Sequence, residues 1–327
     1  MPAAFDMPDD TATLAESEPA AGASAFERAV KAGLSGRIKT LDSKYFYDPI
    51  GSALFDRICE LEEYYPTRTE TKILRRCAPA VAAVAGPGAE LVELGSGSSL
   101  KTCIVLAALD RPAAYIPVDI SDAHMLGALH PLRAQFPELE IRPVFADFTV
   151  PFALPARRGE GARLLFFPGS TIGNLHPAEA EDFLARLRRD FAPRALLIGV
   201  DLKKDEALLH AAYNDALGVT AAFNLNILER IGRDLDADMR PDCFRHEARY
   251  VKALGRIEMH LVCTEDHMAR VGDLPIRFRR GETIHTENSY KYTLAEFTAL
   301  AGRAGWRPEA EWTDENNLFA VHLLAAV

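Results

Sequence analysis

The sequence predicts an α/β fold in which a parallel sheet is covered by helices on both faces and carries an inserted α+β lobe. Three observations predict it. Strand and helix patterns alternate five times between residues 90 and 201, the signature of a parallel sheet with crossover helices. One of these units, Glu90-Leu91-Val92-Glu93-Leu94-Gly95-Ser96-Gly97-Ser98-Ser99-Leu100-Lys101-Thr102, passes from an apolar strand through a glycine turn into a helix. After residue 201 the alternation stops, antiparallel-type strand patterns take over, and a helix and an apolar strand return only near the end.

Taken in order, residues 1–25 are rich in Ala, Asp, Glu and Pro, with no basic start and no apolar core, and read as a disordered tail rather than a secretion signal. A helix is expected over 25–34. Asp48-Pro49 followed by Gly51-Ser52 reads as a turn, with Ser52 capping a helix over 53–61. Pro66 disfavours helix at Tyr65, and Thr67 with Glu70 forms a capping box for a helix to about Val84. The pair Tyr64-Tyr65 either packs or offers hydroxyl donors to a small substrate. Strand 90–94 leads to helix 100–109. Strand 114–118 ends at Asp119, strand 141–146 at Asp147-Phe148, strand 164–167 at the small-residue segment 168–177, and strand 195–200 at Asp201. A helix over 177–190 precedes the last of these. Helices over 205–217 and 219–232 and strands over 244–251, 256–263 and 276–278 follow, then helix 294–304 and strand 318–326, which finishes the sheet as a hairpin. The expected division is one unit from 66–200 plus 291–327 and a second from 26–65 plus 201–290.

Composition narrows the function. With 327 residues and a formal net charge of −10, the chain lacks the basic excess of a general nucleic-acid binder. No apolar run reaches the length of a membrane span. Five scattered cysteines without a CxxC pair indicate neither a zinc site nor a disulfide framework, and the nine histidines are dispersed without an HExxH pattern, so no metal is expected. A cytoplasmic monomer is the expectation.

The glycine turn selects among ligands. Gly95 and Gly97 fit the start of a dinucleotide fingerprint, but Leu100 occupies the third glycine position, and no Walker loop exists. Glu93 ahead of the turn would repel a pyrophosphate and attract a cation. S-adenosylmethionine, with its sulfonium and ammonium groups, suits this turn; the alternative is an ordinary strand-to-helix turn. Asp119, at the end of the second strand, is positioned for ribose hydroxyls or else caps the next helix. Asp147 can accept the adenine amino group while Phe148 lies against the ring, or the pair is a surface turn. Asn174 at the sheet's carboxyl edge can bond a substrate through both its amide groups. His285, Glu287 and Ser289 alternate, so on a strand they share one face, either gripping a small ring or facing solvent.

Taken together, Tyr47-Asp48-Pro49-Ile50-Gly51-Ser52-Ala53-Leu54-Phe55, Glu63-Tyr64-Tyr65-Pro66-Thr67-Arg68-Thr69-Glu70, Glu93-Leu94-Gly95-Ser96-Gly97, Gly169-Ser170-Thr171-Ile172-Gly173-Asn174-Leu175 and Thr286-Glu287-Asn288-Ser289 resemble the L-histidine Nα-methyltransferases of ergothioneine biosynthesis, over about residues 30–327. The resemblance implies a Rossmann-like, seven-strand class I S-adenosylmethionine methyltransferase domain with a substrate-binding lobe. It implies cosubstrate contacts at Gly95, Lys101, Asp119, Asp147 and Phe148, and L-histidine contacts at Tyr64, Asn174, Tyr213, Glu287 and Ser289. Tyr47 matches a tyrosine near the accepting amine, and Met259 a residue beside the imidazole. The implied reaction is three methyl transfers to the α-amine, with Tyr47 and Tyr213 orienting its lone pair and passing protons to solvent. The rival readings are Nα-methylation of another aromatic amino acid such as tryptophan, against which Glu287 argues, and a non-catalytic cosubstrate-binding scaffold.

Overall fold

The computed structural model describes residues 24–97 and 99–327, so residues 1–23 of the expected tail lie outside it. The chain begins with α1 (Ala25–Ser35), β1 (Lys39–Thr40), a short 3-10 turn (Ser43–Phe46), α2 (Pro49–Glu60) and α3 (Tyr65–Ala85). The alternating section is β2 (Glu90–Leu94), α4 (Leu100–Ala108), β3 (Ala114–Asp119), α5 (Asp122–Gln135), β4 (Glu140–Ile141), β5 (Val144–Phe145), β6 (Arg163–Phe167), α6 (Pro177–Phe191) and β7 (Ala195–Asp201). Then come α7 (Glu206–Tyr213), α8 (Val219–Asp234), β8 (Phe244–Val251), β9 (Arg256–Cys263), β10 (His267–Val271), β11 (Leu274–Phe278) and β12 (Thr283–Tyr290). The chain closes with α9 (Leu294–Arg303), β13 (Trp306–Thr313) and β14 (Phe319–Ala326).

The main sheet has the order β13-β14-β7-β6-β2-β3-β4, with β5 also on β3. Pairings among β2 to β7 are parallel, and the β13–β14 hairpin is antiparallel to β7. Since β4 and β5 share one edge position, this is the expected seven-position sheet of a class I methyltransferase fold. The third expected strand is two short pieces because Arg142-Pro143 interrupts it, proline having no N–H for the ladder.

Why β2 is central follows from its side chains. All five residues are buried, and its two acids are not left bare. Glu90 is held by Arg163 (2.9 Å) and Arg142 (2.6 Å). Glu93 takes hydrogen bonds from the Thr102 hydroxyl (2.8 Å) and the Tyr115 hydroxyl. Apolar residues cover the sheet on one side with α3, α4 and α5 and on the other with α6 and α9.

A second sheet, β1-β12-β9-β8, has β1 parallel to β12 and the rest antiparallel. Its core draws on residues 30–65 together with 209–284, so α1, α2, α7 and α8 pack with this sheet. The β10–β11 hairpin adds Ala269, Val271, Ile276 and Phe278 to that core. The sequence pattern had indicated only its second strand.

Two helix starts differ from expectation. Asp48, not Ser52, caps α2: its carboxylate accepts the Gly51 N–H at 2.7 Å, and Pro49 occupies the first turn, where a missing N–H costs nothing. Ser52 is buried inside the helix. Likewise α3 begins at Tyr65, so Thr67 and Glu70 sit within its first two turns and form no capping box. Glu70 instead runs inward, where Lys101 Nζ meets it at 2.5 Å and the Gly169 N–H donates at 2.9 Å.

Candidate active site

A cavity of about 980 Å3 opens between the carboxyl edge of the parallel sheet and the second sheet. Its sheet side is formed by Gly95 and Gly97 after β2, Asp119 at the end of β3, and Pro168 to Thr171 with Asn174 after β6. Ligands bind at this edge in open α/β sheets. The opposite side comes from Tyr47, Phe55, Cys59 and Tyr64 of the N-terminal segments, Tyr213 of α7, Thr220 and Phe223 of α8, Met259 of β9, and His285 to Ser289 of β12.

Local sequence explains several of these positions. Gly95 has φ +76°, a conformation glycine adopts freely, and a Cβ there would meet the Phe148 ring at 3.6 Å. Phe148 thus lies against the glycine turn and packs edge-on to Phe167. Asp119 accepts the Ser121 N–H at 2.9 Å while still lining the cavity. Burial raises its carboxyl above the ordinary value, with the Ser121 N–H opposing. Of the expected cosubstrate contacts, Gly95, Lys101, Asp119 and Phe148 line the cavity. Asp147 is not among the lining residues: it pairs with Lys44 at 2.9 Å and accepts the Thr149 N–H at 2.9 Å. Lys44 and Thr149 line the cavity in its stead.

The expected substrate contacts Tyr47, Tyr64, Asn174, Tyr213, Met259, Glu287 and Ser289 all line the same cavity. The adjacent tyrosines divide. Tyr64 faces the cavity, its ring edge-on to Phe55 and Tyr213. Tyr65 points into protein and donates to Asp201 at 2.8 Å. No described residue hydrogen-bonds the Tyr47 or Tyr64 hydroxyl, the Asn174 amide or the Glu287 carboxyl. Four uncommitted polar groups therefore converge on one space.

Their protonation states follow from burial. Burial drives the Tyr47 and Tyr64 phenols well above their ordinary value, and nearby Glu287 adds to the effect, so both are neutral hydroxyls. Burial pushes the Glu287 carboxyl up to about 7, with Lys291 as the opposing charge. Glu93 also rises to about 7 by burial, against the hydrogen bonds from Tyr115 and Thr102. Both of these bonds fall on Oε2, and Glu93 itself lines the cavity.

Strand β12 differs from simple alternation. His285 pairs with His260 and Glu287 with Met259, so Thr286 is an extra residue in a bulge. The Thr286 hydroxyl turns inward to Asn224 Oδ1 (2.8 Å) and Met259 O (3.1 Å). The bulge moves His285 off the face of Glu287 and Ser289, and its Nε2 meets Asn288 Oδ1 at 3.1 Å. Met259, as the cross-strand partner of Glu287, stays beside it.

A buried charge cluster that sequence reasoning missed lies behind this wall. Asp201, fully buried at the end of β7, is bonded by Lys291 Nζ (2.7 Å), Lys204 Nζ (2.5 Å) and the Tyr65 hydroxyl. Burial alone would raise Asp201, but Lys291 and Lys204 hold it below the ordinary carboxylate range. Burial lowers Lys204 to about 8, whereas Asp201 and Tyr213 hold Lys291 above its ordinary value. An aspartate at the end of the fifth expected strand and a lysine between Tyr290 and Tyr292 were the only available signals. Among the described residues, no group of three His, Cys, Asp or Glu side chains is placed to hold a metal ion, and no helix is long and apolar enough to cross a membrane.

The profile of a family described as "Histidine-specific methyltransferase, SAM-dependent" matches residues 26–326. A histidine N-alpha-methyltransferase of Mycolicibacterium smegmatis is 42% identical over 92% of this chain and 95% of its own. One from Mycobacterium tuberculosis is 41% identical over 93% and 96%. An ergothioneine biosynthesis protein 1 of Neurospora crassa is 33% identical over 88% of this chain, though that spans only 33% of the fungal protein.

Proposed function

The chain belongs to the family of histidine-specific, S-adenosylmethionine-dependent methyltransferases, and from that premise we propose that it methylates the α-amine of L-histidine three times, forming the betaine hercynine of ergothioneine biosynthesis. The observation that supports this best is the single cavity joining the glycine turn and Asp119 to the uncommitted groups of Tyr47, Tyr64, Asn174 and Glu287.

The sheet edge fits S-adenosylmethionine. Gly95 keeps the turn low under the Phe148 ring, leaving a flat apolar surface for adenine. Asp119 receives the ribose hydroxyls. Lys101, held by Glu70, and the segment from Gly169 to Thr171 border the amino-acid end. Phe148 and Thr149 bound the base, while a contact from Asp147 requires its pair with Lys44 to open. When bound, S-adenosylmethionine supplies an electrophilic methyl group on a sulfonium sulfur.

The chain's own residues then have three tasks. Asn174 and Tyr64 hold the substrate carboxylate and fix the α-carbon. Glu287 accepts an N–H of the imidazole, and Ser289 meets its other nitrogen. Tyr47 and Tyr213, both neutral phenols because of burial, orient the amine. A nitrogen must present a lone pair to attack carbon, and every methylation releases one proton. A neutral phenol accepts an amine N–H without consuming the lone pair; Tyr213, whose own proton goes to Ser289, only accepts, and Tyr47, whose hydroxyl has no hydrogen bond among the described residues, relays the proton outward. Orientation of this kind lowers a barrier by up to roughly 7–11 kcal/mol.

Incubating the full chain with L-histidine and S-adenosylmethionine and following the mass of histidine tests the reading. Additions of one, two and three methyl groups are expected. A mass change on tryptophan but not on histidine, or on neither, overturns it.

A further inference from the structure

Behind the ring-binding wall, three side chains settle the direction of one hydrogen bond. Lys291 is buried, with its side chain 1% exposed, and its ammonium has three protons. They go to Asp201 Oδ2 (2.7 Å), the Tyr213 hydroxyl (2.9 Å) and Ser289 Oγ (2.7 Å). Tyr213 and Ser289 are themselves 2.7 Å apart. A phenol is a stronger acid than an aliphatic alcohol, so the Tyr213 O–H donates and Ser289 accepts. The Ser289 oxygen then receives two hydrogen bonds, which uses both of its lone pairs. Its own proton has one direction left, into the cavity. Glu287, two residues away and on the same face of β12, presents an acceptor there.

We propose that Lys291 is a positioning residue: anchored on Asp201, it fixes Ser289 as an outward donor, so the site takes the substrate imidazole only as the neutral tautomer whose bare nitrogen faces Ser289 and whose N–H faces Glu287. This rests on the histidine reading of the pocket. One donor beside one acceptor matches a neutral imidazole. An imidazolium has two N–H groups and would set donor against donor at Ser289. An indole has one N–H and no acceptor, which leaves the Ser289 proton without a partner, and sites that hydrogen-bond a ring reject analogues that leave such a group unpaired. The charged and titratable groups around Lys291 are Asp201 of β7, Tyr213 of α7, Lys204, Tyr65 of α3 through Asp201, and Glu287 of β12. Among the described residues, none accepts a hydrogen bond from Ser289, whose oxygen only receives those of Tyr213 and Lys291.

The test is nitrogen NMR of ring-15N-labelled L-histidine bound to the full-length protein with S-adenosylhomocysteine, recorded from pH 8 down to about one unit below the free-ring value of roughly 6.5. In the wild type, the ring N–H donated to Glu287 lowers its carboxyl from the ligand-free value and keeps it the acceptor, so one bare and one protonated ring nitrogen are expected across the range. The variant Lys291→Met removes the ammonium and leaves Asp201 paired with Lys204 and the Tyr65 hydroxyl, so no buried carboxylate is stranded. It is expected to bind histidine about 3- to 10-fold more weakly, the worth of one ordinary hydrogen bond, and to accept a doubly protonated ring at the acid end, because Ser289 is then able to reverse. Ser289→Ala gives the same loss of ring selectivity if Lys291→Met fails to fold. A doubly protonated ring in the wild type, or an unaltered tautomer in both variants, overturns the proposal. A wild type that binds no histidine overturns the underlying histidine reading instead.

Discussion

Glu287→Gln separates what the carboxyl does for folding from what it does for binding. The substitution keeps size and polarity and removes only ionisation. Burial pushes the Glu287 carboxyl from 4.5 to about 7 in the folded chain. Below pH 4.5 it is protonated whether the chain is folded or not and makes no pH-dependent contribution. Between 4.5 and about 7 the unfolded chain has released a proton that the folded chain still holds, so stability falls as pH rises through this window. A full shift of this size is worth about 3 kcal/mol. The carboxyl opens onto a cavity and is not sealed in packed protein, which reduces the expected penalty to about 1–2 kcal/mol. Denaturant unfolding of the ligand-free protein is therefore expected to show Glu287→Gln about 1–2 kcal/mol more stable than wild type at pH 8 and equal to it at pH 4. Calorimetry with histidine is expected to show the reverse order. A charge-assisted hydrogen bond of about 1.5–3 kcal/mol is lost, so the dissociation constant rises roughly 10- to 150-fold, while that for S-adenosylmethionine stays within about twofold. No stabilisation at pH 8 refutes the burial argument. Unchanged histidine affinity refutes the placement of the ring against Glu287.

Asp119→Ala is expected to weaken S-adenosylmethionine roughly 10-fold or more by calorimetry, through loss of charge-assisted bonds to hydroxyls; an unchanged dissociation constant removes the ribose assignment. Tyr64→Phe should raise the KM for histidine with little change in unfolding midpoint. Tyr65→Phe should do the opposite and cost about 1.5–3 kcal/mol of stability, because it takes a donor from buried Asp201; equal effects on KM contradict the division of the two rings. Gly199→Ala in β7 places a Cβ 2.0 Å from Glu70 Oε1. It should destabilise the chain by about 1–3 kcal/mol in thermal or urea unfolding, as overpacking does, and wild-type stability would show that Glu70 moves freely.

The parallel sheet was legible because its strands are buried on both faces and read as short apolar runs between turns, most clearly in Leu164 to Phe167 and Ala195 to Val200. The cavity-facing residues were legible where strand ends or linear motifs marked them, as at Asp119 and Asn174. What failed was local pattern without tertiary context. Thr67 and Glu70 have capping-box spacing, yet Glu70 is used by Lys101 and the Gly169 N–H, partners 31 and 99 residues away. The bulge at Thr286 depends on Asn224 across the fold, so strict alternation put His285 on the wrong face. Two adjacent tyrosines gave no hint of which faces the cavity. That depends on the turn into α3, which begins between them. Lys291 was invisible because lysine at a strand end is ordinarily solvated, and only Asp201 makes its burial tolerable.

On the proposed reading, the wall that meets the side chain and the edge that meets the methyl donor belong to different sheets. Glu287, Ser289 and Met259 lie on β12 and β9, whereas Gly95 and Asp119 close β2 and β3. Exchanging the amine acceptor for a different ring is then a problem in two neighbouring ribbons, solvable by redesign at a few positions without disturbing cosubstrate affinity. The one constraint such redesign inherits is the lysine buried behind the wall, which shares Asp201 with Lys204, so any change there must leave the aspartate and the remaining lysine matched.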